Sequence, residues 1–288
     1  MNRLRSVSVV ILLALLLISP GVASQAGSAI NLPLVLRGVP PIVPTGMVLI
    51  PAGTFQMGCD SANSAEYCFS DEQPLHTVYM DAYYIDTYEV TNVQYKACVD
   101  AGVCQRDPWE YIPVGGKPNH PISEVTWYEA RAYCTWVGKR LPTEAEWEKA
   151  ARGPNDTRMY PWGNEPPTCA LANFRGGDTL DRFCVEGPGL TIRVSEVGSY
   201  PSGASPYGVM DMAGNLWEWV NDWYQKDFYG VSPTANPQGP MSGSYKVVRG
   251  GSWDFETIHL RVAKRDYGHA NIGSSGSRGF RCAVTLGG

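Results

Sequence analysis

The stretch Gly138-Lys139-Arg140-Leu141-Pro142-Thr143-Glu144-Ala145-Glu146-Trp147-Glu148 reads as the end of one helix and the start of the next. Gly138 supplies a left-handed residue that stops a helix, and Pro142 keeps the two helices apart. Thr143 with Glu146 three residues on forms a capping box, in which hydroxyl and carboxylate satisfy orphan N–H groups reciprocally. Gly153 closes the second helix. Outward from here the same punctuation recurs. Thr126-Trp127-Tyr128-Glu129 opens the helix that ends at Gly138, and Thr91-Asn92-Val93-Gln94 opens one that ends at Gly102. Three helices are therefore predicted. Glu144, Glu146 and Glu148 resemble a catalytic carboxylate cluster, but favourable interaction with the helix dipole accounts for them.

Elsewhere regular structure is sparse. Short β-like runs stand at Met47–Ile50, Thr77–Ile85 and Lys246–Val248, with another near Phe280–Val284. Between Pro154 and Ser244, Gly and Pro are frequent and no long periodic segment is evident. The pattern predicts an α+β fold of low secondary-structure content. Its long irregular loops must carry function or be pinned by bridges and ions.

With 288 residues, 44% of them hydrophobic and 18% charged, the chain can build a sizeable core. The net charge is −5, and no Lys/Arg run occurs. Nucleic acid and anionic membrane surfaces are thereby excluded as expected partners. Of the 23 basic residues, 16 are Arg.

The first residues carry Arg3 and Arg5, then the apolar run Val9–Ile18, then Pro20-Gly21 and small residues through Ala26. This is the layout of a secretory signal over residues 1–26. The apolar run is too short for a permanent span, so no membrane span is expected after cleavage. Removing the signal leaves 21 basic against 28 acidic residues. Residues 27–45, with Pro33, Pro40, Pro41 and Pro44, read as a stiff linker, and the folded domain is expected over 46–286. The protein is expected to be secreted, or at least extracytoplasmic.

Eight cysteines agree with export: Cys59, Cys68, Cys98, Cys104, Cys134, Cys169, Cys184 and Cys282. An even number without any C-x-x-C favours disulfides over zinc. Close spacing suggests Cys59–Cys68, Cys98–Cys104 and Cys169–Cys184. That leaves Cys134–Cys282 as a long-range bridge, one choice among about 105 formal pairings. No G-x-S-x-G elbow or G-x-x-x-x-G-K phosphate loop is present. His76, His120, His259 and His269 show no paired metal-ligand spacing. His259 reads as a surface loop residue and His76 as a polar partner beside a strand.

A set of motifs runs the length of the domain. They are Pro51-Ala52-Gly53-Thr54-Phe55-Gln56-Met57-Gly58, Tyr88-Glu89-Val90-Thr91-Asn92, Pro121-Ile122-Ser123-Glu124-Val125-Thr126-Trp127, Gly138 to Glu148, Tyr160-Pro161-Trp162-Gly163, Asp211-Met212-Ala213-Gly214-Asn215-Leu216-Trp217-Glu218-Trp219, Arg249-Gly250-Gly251-Ser252-Trp253 and Gly279-Phe280-Arg281-Cys282. In this order they resemble the formylglycine-generating enzyme, or sulfatase-modifying factor, family, from about Gly46 to Thr285. The resemblance implies a variant of the C-type-lectin fold with the second and third helices side by side. It also supports the Cys134–Cys282 bridge.

Active members of that family oxidise one cysteine of an exported sulfatase to formylglycine with dioxygen. Two cysteines a few residues after Gly-Gly-Ser hold copper(I), because soft thiolates select that ion and one exchanges with the substrate thiol. Here the first would fall at Phe255 and the second near Thr257 to Leu260. No cysteine lies between 185 and 281. Neither the activity nor copper is therefore carried over, and no catalytic residue is assigned.

The resemblance also implies calcium. One site would use the side chains of Asp211 and Glu218 with the carbonyls of Gly214 and Leu216. Two carboxylates bracketing a Gly-Asn turn suit the mixed oxygen shell that calcium takes. A second would use Asn173 and the Phe174 carbonyl, with Asp178 or Asp181 as the acid.

Two functions of different class follow. The first is a non-catalytic, calcium-binding module for a protein, peptide or small-molecule ligand, with Ser252, Trp253, Phe255 and His259 in its groove. Within the stretch 254–278, Asp266–Gly273 has a composition compatible with hypervariability, against the plainer reading of a solvent loop. The alternative is an oxidoreductase that still makes formylglycine through non-standard residues.

Overall fold

The computed structural model describes residues 44–105, 117–154, 156–176, 183–185, 193–273 and 276–286. The signal and linker expected over 1–45 lie almost wholly outside them, as do Asp178 and Asp181.

All three predicted helices form: α1 (Asn92–Asp100), α2 (Trp127–Trp136) and α3 (Glu144–Arg152). Thr91, Thr126 and Thr143 each cap one, with the full reciprocal box in every case. Gly102, Gly138 and Gly153 all adopt positive φ, the conformation that ends a helix at little cost only for glycine.

The strands depart further from expectation. β1 (Met47–Ile50) forms as predicted. The run Thr77–Ile85 is instead two strands, β3 (His76–Met80) and β4 (Tyr83–Asp86), which join different sheets. The break is held by Asn236, whose side chain accepts from the Asp81 N–H at 2.8 Å and donates to the Asp81 carboxylate at 2.8 Å. β2 (Gly53–Met57) pairs with β3. β5 (Trp217–Trp223) falls inside the stretch that showed no periodicity, because it is buried along almost its whole length and has no polar face to alternate with. β6 (Lys246–Arg249) forms close to its expected place. β7 (Arg265–Gly268) lies where a loop was expected. Near the C-terminus, pairing is confined to β8 (Arg278–Gly279) and β9 (Ala283–Thr285), while Phe280 to Cys282 are unpaired as strand.

Three sheets form among the described residues: β1-β4-β9, β2-β3, and the four-stranded β7-β6-β5-β8, in which β5 and β8 are parallel. α3 packs against β2, β3, β5 and β6. Every residue of α3 is buried, including Glu144, Glu146, Glu148, Lys149 and Arg152.

The helix dipole is therefore only part of the account of the three glutamates. Glu148 accepts from Arg152 at 3.0 Å, from the Gly58 N–H at 2.8 Å, and from Arg249. Burial alone would raise its pKa, but Arg249 and Arg152 outweigh burial and hold it below the usual carboxylate range. Glu144 is bidentate to Arg265 at 2.7 and 2.9 Å, and Glu146 to Arg140 at 2.6 Å on both oxygens.

All eight cysteines are paired as expected: Cys59–Cys68, Cys98–Cys104, Cys134–Cys282 and Cys169–Cys184. The third closes a separation of 148 residues and fastens α2 beside β9. Four disulfides fit an oxidising, extracytoplasmic environment. No helix among the described residues is long and apolar enough to cross a membrane.

Two predictions follow from the buried charges. Glu148→Gln leaves Arg152 without its carboxylate and Arg249 with only the longer Glu144 pair at 3.7 Å, and is expected to cost about 3–5 kcal/mol, read as a lowered denaturant midpoint at unchanged m-value. The second concerns Asp222, which is buried beside Glu144 and Glu146; burial, then Glu144, pushes its pKa up to about 8. The folded state thus keeps a proton that the unfolded state releases near the ordinary aspartate value, so stability falls as pH rises between the two. Asp222→Asn is expected to flatten that decline, whose slope from one group is at most about 1.4 kcal/mol per pH unit.

Candidate functional site

The loop from Asp211 to Trp217 is built on backbone conformations that few residues accept. Asp211 and Asn215 have φ of 59° and 62°, and Gly214 has φ of 78°. A Cβ on Gly214 would stand 2.3 Å from the Asn173 carbonyl oxygen, so only glycine fits there. Asn215 ties the surroundings together. Its N–H donates to the Asn173 carbonyl at 2.8 Å, and its carbonyl accepts from Trp253 at 3.0 Å. Its side-chain oxygen accepts from the Ser195 N–H at 2.9 Å and from Asn173 Nδ2 at 3.1 Å, while its Nδ2 donates to Glu89 at 2.9 Å.

Beneath the loop lies a buried acidic group. Asp211 accepts from the Gly198 N–H at 2.7 Å, and burial raises its pKa to about 6. Glu89 is 2% exposed and has one oxygen, Oε1, without a partner. Burial first, then Asp211 and Glu218, push its pKa well above the carboxylate range. Glu218 is bidentate to Arg281, at 2.7 and 2.6 Å, and also accepts from Trp147 Nε1 at 2.9 Å.

Sequence reasoning missed both Glu89 and Arg281 here. Their signal was a lone acid and a lone base embedded in apolar motifs, where charge persists only if paired.

These placements bear on calcium. The structure brings Asp211 and Glu218 into one cluster, but Arg281 and Trp147 already occupy both Glu218 oxygens. Oε2 accepts from both Arg281 Nε and Trp147 Nε1, so only Oε1, which accepts from Arg281 alone, keeps a lone pair for an ion. Asn173 Oδ1 is buried without a partner, and the Phe174 carbonyl accepts from the Cys184 N–H at 3.1 Å. Two orphaned buried oxygens beside a carbonyl-rich turn fit a hard cation. Among the described residues no three His, Cys, Asp or Glu side chains converge as a metal site, so main-chain and amide oxygens would have to complete any shell.

The expected groove is altered. Ser252 is fully buried, donating to Asp254 at 2.5 Å, and Trp253 is 7% exposed with its indole N–H on the Gly276 carbonyl at 2.8 Å. Neither lines a surface, because the positive-φ turn at Gly250-Gly251 folds them inward under residues 276–277. Phe255 and His259 are half-buried. Phe255 meets Trp217 edge-on at 5.5 Å and His259 at 4.9 Å. His259 is therefore an aromatic packing partner rather than a free surface residue; burial, then Lys264, lowers its pKa.

In Asp266–Gly273, β7 and the turn after it leave Tyr267, His269, Asn271 and Ile272 exposed while Gly268 and Ala270 are buried. Tyr267 lies against Tyr224 and Tyr245 at 4.3 and 4.9 Å.

Residues 40–286 match the sulfatase-modifying factor enzyme 1-like domain. The chain belongs to that family. A formylglycine-generating enzyme of Streptomyces coelicolor is 34% identical over 313 residues, covering 92% of this chain and 94% of the relative. A serine/threonine-protein kinase pkn1 of Chlamydia caviae is 36% identical over 258 residues, 83% of this chain, and the chain spans 38% of that protein's length. Among solved structures, PvdO from Pseudomonas aeruginosa superposes with a TM-score of 0.67 at 28% identity, covering 83% of this chain and 94% of that one. The α+β architecture is thus the one the family adopts, and the family includes oxidising enzymes. None of this member's eight cysteines is free, and none lies between 185 and 281.

Asn215 is the most testable element of the site. Asn215→Ala removes four buried side-chain hydrogen bonds and places alanine at positive φ. The expected loss is about 3 kcal/mol of unfolding free energy, measured by chemical denaturation.

Proposed function

We propose that the protein is an exported, calcium-binding member of the family that binds a protein, peptide or small-molecule ligand and does not oxidise thiols. The observation that carries this reading is the state of the sulfur: all eight cysteines are bridged, and Phe255 fills the place of the first copper ligand with an aromatic ring packed on Trp217. Copper(I) chemistry of the family kind needs two thiolates at that place, and no other soft ligand pair stands there.

Calcium would be held by Asp211 and Glu218 with the Gly214 and Leu216 carbonyls, and by Asn173 with the Phe174 carbonyl. It would supply positive charge to a buried group in which Glu89, Asp211 and Glu218 face only one guanidinium. The chain's own residues set the loops in place through Asn215 and offer Phe255, His259 and the exposed face of β7 to a ligand. Tyr267 on β7 and His269 just after it are suited to recognition, since aromatic side chains contribute contact area at low entropic cost. The variable-surface reading of Asp266–Gly273 is confined by β7 to the outward side chains.

Metal analysis of the oxidised protein, with oxygen uptake on a cysteine-containing sulfatase peptide, tests the reading. The expected result is bound calcium and no uptake. Calcium at about 100 times its Kd is expected to add about 2.7 kcal/mol of stability, read as a raised Tm. Bound copper or iron with turnover would overturn the proposal in favour of an oxidase using non-standard residues. A Tm unmoved by calcium would remove the ion.

A further inference from the structure

The Tyr160-Pro161-Trp162-Gly163 turn builds a concavity that neither the calcium loops nor the Phe255 region uses. Tyr160 and Gly163 exchange backbone hydrogen bonds, at 2.9 and 3.0 Å, so the turn is rigid. It lays the Trp162 indole parallel to the Tyr160 ring, 5.1 Å apart and 6° from coplanar. Tyr160 is buried and covers one indole face, while Trp162 is only half-buried. Trp162 lines a cavity of about 360 Å³ together with Asn63, Asp156, Thr157, Arg158 and Asn164. That volume is at the lower end of the roughly 300–1,000 Å³ range of small-molecule sites.

The polar groups around the indole are fixed before any ligand arrives. Asn164 Oδ1 accepts from the Met159 N–H at 2.9 Å, which orients the amide and leaves its Nδ2 without a protein partner among the described residues. Asn63 is oriented in the same way by the Ala65 N–H at 3.1 Å. Thr157 donates to Asp60 at 2.8 Å, so its hydroxyl oxygen is left to accept. Arg158 donates to both oxygens of Asp156, at 2.8 and 2.5 Å.

This pairing decides the ligand class. Among the described lining residues the one cation is paired with the one acid, so the cavity carries no net charge that would select a phosphate or carboxylate, or a metal ion or amine. What remains is an aromatic face ringed by neutral donors and acceptors. A sugar ring presents C–H groups on one face and hydroxyls that both donate and accept around its edge, which is the complement of this lining.

We infer that this cavity is a binding site for a neutral saccharide unit, stacked on Trp162 and hydrogen-bonded by the side-chain amides of Asn63 and Asn164. The inference shares no residue with the calcium and Phe255 readings and stands or falls separately.

The test is calorimetric titration of the oxidised protein with the methyl glycosides of glucose, galactose, mannose and N-acetylglucosamine. At least one is expected to bind saturably in the millimolar range. Trp162→Ala is expected to weaken it by about tenfold, the worth of one aromatic contact. Asn164→Asp keeps the Met159 contact through its oxygen but replaces the free donor with a carboxylate. It is expected to weaken binding similarly with an unchanged Tm, and it carries the test if Trp162→Ala does not fold. No saturable binding of any glycoside, or binding indifferent to both substitutions, would overturn the proposal. So would binding of glucose 6-phosphate or inorganic phosphate by a protein that ignores methyl glucoside.

Discussion

Five arginines, Arg152, Arg249, Arg261, Arg265 and Arg281, are at most 2% exposed, and the rest of the structure is arranged around them. Each meets at least one buried carboxylate. What distinguishes them from ordinary ion pairs is where their other donors go. Arg249 reaches the carbonyls of Val262, Ala263 and Lys264, and Arg281 those of Asp86, Thr87 and Met210. Arg265 reaches those of Asp71 and Gln225. A chain with little ladder or helix must still satisfy its buried carbonyls. A planar fork of five donors can do so at several places at once, which an ammonium group cannot match. That is a physical reason for 16 Arg against 7 Lys. Replacing a buried pair by apolar residues is often neutral elsewhere, but here it would also orphan the loop backbone.

This arrangement explains which parts of the molecule were legible in the sequence. Helix ends announce themselves locally, since Thr143, Glu146 and Gly153 act on their own few residues, and all three helices were readable from such signals. β5 and β7 were not readable. Trp217 to Trp223 alternates with nothing because both of its faces are covered. β7 is defined by its pairing with β6, at Arg265 opposite Arg249 and Gly268 opposite Lys246, and no local pattern encodes that. The glutamates of α3 were assigned to the helix dipole alone because the decisive partners of two of them, Arg265 for Glu144 and Arg249 for Glu148, are separated from them by 121 and 101 residues in sequence. Two of the groove residues failed for a related reason. Ser252 and Trp253 follow a Gly-Gly turn whose direction depends on contacts with residues 215 and 276.

Motif and chemistry separate cleanly in this member. Trp217 and Trp219 are buried, with the Trp219 indole on the Val125 carbonyl at 2.9 Å. Glu218 and Arg281 hold one another, and Asn215 holds Asn173, Ser195 and Glu89. Trp217, Trp219, Asn215, Glu218 and Arg281 lie in the motifs that make the family recognisable, and every one has a structural task of its own. Recognition of the family therefore carries the architecture that these contacts build, and does not by itself carry a reaction.

The sheet β1-β4-β9 takes its middle strand from early in the domain and one flank from its last residues, with Tyr83 opposite Thr285 and Ile85 opposite Ala283. Until residues 283–285 are synthesised, one edge of β4 has nothing to pair with, and Cys134 has no partner. The domain consequently cannot mature piecemeal as it is made. Its local bridges can close early, but this sheet and the 148-residue bridge must wait for the tail, so the last strand acts as the clasp of the domain.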